Sequence, residues 1–233
     1  MKKLLVLLLA ALLVFALAAC GQKTEQPADT SNDAATDAVT EETDAAPAVL
    51  GGFTLAASPV ITDDIQALLD QATQELVGAE YTPVAYLANQ IVAGTNHCLL
   101  CQVAPVVPEP VATYALVYIY EDLEGNAEIT DVFNSEVVAA GTGLAGGWNA
   151  PESPELTEEA QAAFDKATAD LTDASYTPLA FVQYQVVAGM NYCLLCADNN
   201  ADPESRTGYT FVYIYADLEG NADITDTQGF SAL

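Results

Sequence analysis

At 233 residues the chain is long enough for one or two domains, and an apolar fraction of 52% can supply a buried core. It carries 33 acidic residues against five basic ones; beyond position 20 only Lys23, Lys166 and Arg206 offset the acids. A field of that sign repels phosphate backbones and anionic headgroups, which excludes DNA and RNA as partners and leaves solubility as the plain reading of the acidity.

In chain order, Lys2 and Lys3 precede an apolar run over 4–17 that stops at Leu17-Ala18-Ala19-Cys20. The run is too short to span a bilayer and ends in small side chains, so 1–19 reads as a secretory signal peptide. Leu-Ala-Ala-Cys resembles a bacterial lipobox. That implies lipidation of Cys20 and a chain held on the extracytoplasmic face of the bacterial cell membrane through this lipid alone. Residues 20–50 are then the lipidated Cys and an acidic tether, too poor in large apolar side chains to offset the entropy of ordering.

From residue 51 the chain repeats itself without a gap at a shift of 95 residues. Gly51-Gly52 returns as Gly146-Gly147, Ser58-Pro59 as Ser153-Pro154, and Tyr81-Thr82-Pro83 as Tyr176-Thr177-Pro178. A period this long predicts two tandem domains, 51–133 and 146–233, with a Gly- and Ala-rich linker at 134–145. Within the first, Ile65, Leu68, Leu69, Ala72 and Leu76 recur at helical spacing; Ala160, Ala163, Phe164, Ala167 and Leu171 do so in the second. Thr62 and Thr157 suit the helix N-caps, and Tyr-Thr-Pro is expected to close each helix. Strand-like runs follow at 84–91, 96–103, 114–120 and 127–132. The expected class is α+β: two tandem domains, each one helix packed on a four- to five-stranded antiparallel sheet.

The first two strand-like runs of each repeat enclose Gln90-Ile91-Val92-Ala93-Gly94 or Gln185-Val186-Val187-Ala188-Gly189. Glycine between two β-rich runs marks a hairpin tip, because it takes positive φ at no steric cost. Small apolar side chains beside a bare backbone suit presentation to a partner better than a core.

These residues resemble the cystatin superfamily, and the Gly-Thr-Asn and Gly-Met-Asn continuations resemble its stefin branch. Both tips match that family's Gln-x-Val-x-Gly first hairpin, while Gly51-Gly52 and Gly146-Gly147-Trp148 are similar to its N-terminal trunk. The resemblance implies tight, reversible inhibition of papain-like cysteine proteases, with no cofactor. Under it, Gly52 and Gly147 let the trunk lie flat in the protease cleft, and Gln90 and Gln185 orient the tips through hydrogen bonds. Ile91, Val92, Ala93 and Gly94, with Val186, Val187, Ala188 and Gly189, then fill the cleft. Leu123 and Leu218 stand at the second hairpin, followed by Glu124 and Glu219 where stefins place Pro. The alternative is a non-inhibitory binding or structural module on the same scaffold.

Cys98-x-x-Cys101 and Cys193-x-x-Cys196 fall in a strand-like run, where positions three apart face opposite ways. They read either as small buried hydrophobes or as disulfides formed across a bulge or between repeats, since setting Cys20 aside leaves an even four. Zinc or redox chemistry would need four thiols from two domains or a helix N-terminus, so no metal site is assigned. His97 is the single histidine and neighbours Cys98 in a strand, where adjacent side chains face apart; no catalytic residues are assigned either. Asp122-Leu123-Glu124-Gly125-Asn126 places oxygens faintly like a calcium loop, yet a Gly-Asn hairpin turn accounts for it more simply. Tyr114, Leu116, Tyr118 and Tyr120 share one strand face, repeated by Tyr209, Phe211, Tyr213 and Tyr215. That face needs either cross-strand packing with wet hydroxyls or the sheet of the other repeat against it.

Overall fold

A computed structural model describes residues 52–141, 147–202 and 205–232. The signal peptide, Cys20, the tether, Gly51 and Gly146 lie outside the described residues. The elements are β1 (Thr54–Leu55), α1 (Asp63–Thr73), β2 (Ala79–Val92), β3 (Gly94–Pro105), β4 (Thr113–Glu121) and β5 (Ala127–Val138). They continue as α2 (Glu158–Thr168), β6 (Tyr176–Val187), β7 (Gly189–Asp198), β8 (Tyr209–Ala216), β9 (Ala222–Gly229) and β10 (Ser231–Ala232). One antiparallel sheet has the order β1-β2-β3-β4-β5-β10 and the other β6-β7-β8-β9.

This corrects the expected α+β class of two helix-on-sheet domains. The molecule is mainly β, and the two sheets bury one face of each against the other. The reason lies in the strand faces. A helix of 11 residues covers only the outer side of its sheet, through Leu68 and Leu69 on α1 or Ala160, Ala163 and Phe164 on α2. The inner sides are as apolar: Cys98, Leu100, Tyr114, Leu116 and Tyr118 pack against Ala180, Val182, Cys193, Leu195, Tyr209 and Phe211 in a single core. Burying one aromatic side chain of this size is worth about 2–3 kcal/mol, so leaving both faces wet would forfeit the burial of Tyr114, Tyr118, Tyr209 and Phe211 together. The segment read as a linker begins inside β5, which runs to Val138. After β9, β10 crosses back to pair with β5 through Ser231↔Asn134 and Ala232↔Phe133. Arg206, in the β7–β8 loop, fastens the sheets: its guanidinium bonds Asp131 and lies 4.0 Å from the Tyr118 ring centroid, while the Tyr118 hydroxyl donates to its carbonyl at 2.7 Å.

An approximate dyad relates the two sheets. Positions 95 residues apart exchange roles across the interface. Cys98 and Tyr209 share the inter-sheet core with their counterparts Cys193 and Tyr114, and the Tyr114 hydroxyl donates across it to Gln183 Oε1 at 3.3 Å. Strand β2 borders β6 and β5 borders β9. Strand order is therefore kept across the interface, and strand direction is reversed.

Both helices start as the sequence indicates, with Thr62 Oγ1 accepting from Ile65 N at 3.4 Å and Thr157 Oγ1 from Ala160 N at 3.2 Å. They end sooner. Leu76 and Leu171 lie beyond the helices and are exposed, and Tyr-Thr-Pro sits inside β2 and β6 rather than at a helix end. Proline is tolerated there because each strand shifts register just after it, at Pro83/Ala85 and Pro178/Ala180. At that point no strand among the described residues pairs with the other side of β2, since β1 covers only Ala88 and Asn89.

Candidate functional site

The β2–β3 hairpin is closed by Val92↔Gly94 and the β6–β7 hairpin by Val187↔Gly189. At these tips Ile91 is 76% and Val186 60% exposed, with Val92, Ala93, Val187 and Ala188 exposed beside them. Two further segments lie along the same end of each sheet. Thr95 pairs with Glu121, which brings the β4–β5 turn beside the first tip and leaves Leu123 79% exposed; Leu218 in the β8–β9 turn is 81% exposed. On the other flank β1 pairs with β2 through Thr54↔Asn89, repeated by an Asn149↔Tyr184 bridge. Phe53 and Trp148 anchor these approaches edge-on against Tyr118 and Tyr213, at centroid distances of 5.4 and 5.5 Å. Gly52 (φ +77°) lies next to the Gln90 side-chain amide, and Gly147 is half-buried, its carbonyl accepting from Asn149 Nδ2 at 3.1 Å. Each repeat thus sets a trunk, an apolar tip and a leucine turn side by side.

Several bonds make these edges rigid. Asn96 Nδ2 donates to Gln90 Oε1 at 2.8 Å and Asn191 Nδ2 to Gln185 Oε1 at 2.7 Å, tying the two arms of each hairpin. The Tyr120 hydroxyl donates to the Ala93 carbonyl and the Tyr215 hydroxyl to the Ala188 carbonyl, both at 2.5 Å. Gly94 and Gly189 hold φ +120°, and a Cβ on either would strike the carbonyl oxygen of Glu121 or Ala216. These glycines lock the tip in place; Gly94 is buried and Gly189 half-buried. In the second turns Asp122 Oδ1 accepts from Glu124 N at 2.9 Å and Asn126 N at 2.8 Å, and Asp217 Oδ1 accepts likewise from Glu219 N and Asn221 N. Bonds from Asn126 and Asn221, led by their side-chain amides, hold both carboxyls below the usual range. With Oδ1 accepting from the turn backbone and Oδ2 from the side-chain amide of Asn126 or Asn221, each Asp shapes a turn that presents a leucine.

The four domain cysteines are free and buried. Cys98 and Cys193 join the core between the sheets, Cys101 and Cys196 the cores beneath the helices, so the members of each pair do face opposite ways. Burial raises all four thiols, Cys98 to about 12, which keeps them protonated and unreactive at neutral pH.

Sequence reasoning missed the bracing tyrosines, although Tyr120 and Tyr215 continue the aromatic alternation, and it missed a polar cluster near the first tip. There the Tyr86 hydroxyl meets His97 Nδ1 at 2.9 Å, and His97 Nε2 meets Glu121 Oε2 at 3.2 Å. The imidazole borders an open cleft of about 460 Å³ under α1, lined also by Asp64, Leu68 and Gln71. Burial lowers the His97 pKa, opposed by Glu121, so the ring is neutral at neutral pH.

No protein-family model and no curated protein matches the chain.

Proposed function

We propose that the chain is a surface lipoprotein that reversibly inhibits papain-like cysteine proteases with its hairpin edges. The observation that supports this most strongly is the exposure of Ile91 and Val92, and of Val186 and Val187, on hairpins braced from both sides and flanked by an exposed leucine. A rigid tip loses little conformational freedom on entering a cleft, so its buried apolar area converts efficiently into affinity. At each tip both arms are hydrogen-bonded into the sheet, so the presented backbone is held in the hairpin rather than free to lie extended as a substrate does. Glu124 and Glu219, exposed beside the leucines, favour a target with a cation at the rim of its cleft, because an acid desolvated without a partner costs affinity. The same exposed acids favour the second reading, a binding module that engages a cationic surface without inhibiting it.

The test is titration of papain with the full chain and with a Val92→Glu/Val187→Glu variant. Both positions are exposed, so the fold is unaffected, whereas a substitution at either glycine would confuse lost binding with lost structure. Inhibition below micromolar is expected, weakened roughly 100-fold in the variant if each tip loses ~3 kcal/mol of apolar burial. Inhibition weaker than micromolar, or equal for both proteins, would remove the inhibitory reading.

A further inference from the structure

The geometry points to a bivalent molecule: one chain holds two protease molecules at once, one at each end, facing away from each other. This rests on the inhibitory reading and adds to it a stoichiometry and an arrangement that the tandem repeat alone does not determine. Two copies on one chain could as well lie side by side, where one bound protease would block the other.

The dyad decides between these arrangements. Both sheets bury the same face. The Tyr114 hydroxyl donates to Gln183 Oε1 at 3.3 Å and the Tyr118 hydroxyl to the Arg206 carbonyl, which places the tip-distal part of β4 over the tip-proximal part of β6, and the tip-proximal part of β4 over the far end of the second sheet. Tyr114 pairs with Gln102 and Gln183 with Cys193 in their own sheets, so Gln102 stands at the level of Cys193 and the centre of symmetry falls near Leu100 and Leu195. Ala93 and Ala188 each lie about seven residues from that centre, in opposite directions. At ~3.3 Å per strand residue the tips are then roughly 45 Å apart. A compact protease of about 200 residues has a radius of gyration near 17 Å, and two of them approaching from opposite ends do not meet.

Each end is complete on its own. Gly52, the first tip and Leu123 belong to one repeat, and Gly147, the second tip and Leu218 to the other, so neither edge borrows a residue across the interface. The sheet core between them holds their separation fixed, and sites this far apart bind independently.

The experiment measures the mass of complexes formed by the full chain with excess papain whose active-site thiol has been alkylated, by light scattering after gel filtration. Native chain, Val92→Glu, Val187→Glu and the double variant are compared, with circular dichroism confirming equal folding. The expected masses correspond to two proteases on the native chain, one on each single variant and none on the double variant. One protease on the native chain and one on both single variants would mean that the ends exclude each other, which overturns bivalency and leaves the inhibitory reading standing. One on the native chain and none on one single variant would mean that a single end is competent, with the same consequence. No complex at any concentration tested overturns both readings together.

Discussion

The two repeats agree where they meet solvent at the tips and differ where they meet their helices. Gln-x-Val-Ala-Gly, the bracing tyrosine and the Asp-Leu-Glu-Gly-Asn turn occur in both. Beneath α1, however, Tyr86, His97 and Glu121 form a polar chain, while the corresponding positions hold Phe181, Tyr192 and Ala216. The ring pair survives the exchange: Tyr86–His97 and Phe181–Tyr192 both lie at 5.9 Å between centroids. The interior therefore accepts either a hydrogen-bonded plug or an apolar one of similar shape, and the presented edge does not depend on which is used. The β3–β4 loop differs from the β7–β8 loop as well. The first exposes Val106, Val107 and Val111; the second carries Arg206, at the position matching Val111, and reaches onto the opposite sheet.

The shared features should give the largest effects. Gly94→Ala and Gly189→Ala each force a side chain into positive φ and onto a β4 or β8 carbonyl, and each should cost ~3 kcal/mol in chemical denaturation. Equal losses would sharpen the comparison, and a loss at one alone would break it. Arg206→Met has no counterpart in the first repeat. It removes the bond to Asp131 and the stacking on Tyr118, and should lower stability by about 1–2 kcal/mol, less at high salt. Leu123→Ala and Leu218→Ala should leave stability unchanged and weaken papain binding roughly tenfold, each at its own end, as expected for ~1.4 kcal/mol of apolar contact.

The polar plug predicts a pH effect confined to the first repeat. A histidine whose folded pKa is lowered is protonated first in the unfolded chain. Its penalty is absent above the ordinary value of 6.5 and grows as pH falls from there through the folded value. Replacing Tyr86, His97 and Glu121 together by Phe, Tyr and Ala installs the plug of the second repeat. Thermal melts between pH 7.5 and 5 should then lose less Tm than the native chain does. Parallel curves would show that His97 is not what distinguishes the repeats.

Much of this was legible in the sequence because the signals are local. The Thr caps, the alternating faces of Tyr114–Tyr120 and Tyr209–Tyr215, and the turn glycines each announce themselves within a few residues. The architecture was not, because it depends on what covers the second face of each sheet. Tyr118 and Tyr209 read equally well as wet cross-strand pairs or as an interface, and only the fold shows the Tyr118 hydroxyl bonding the Arg206 carbonyl and Tyr209 buried in the core between the sheets. Tyr81-Thr82-Pro83 misled for a related reason: proline ends helices, yet an unpaired strand flank next to a register shift accommodates it too. In the candidate site the apolar tip was readable, but the role of its glycine was not, since the collision that demands it comes from β4, some 27 positions along the chain.

Amide hydrogen exchange on the full chain with and without alkylated papain tests the central claim most directly. The account predicts new protection at 90–94 and 122–126 and at 185–189 and 217–221, with α1 and α2 unchanged. A complex that leaves those four segments exchanging as in the free chain would contradict it.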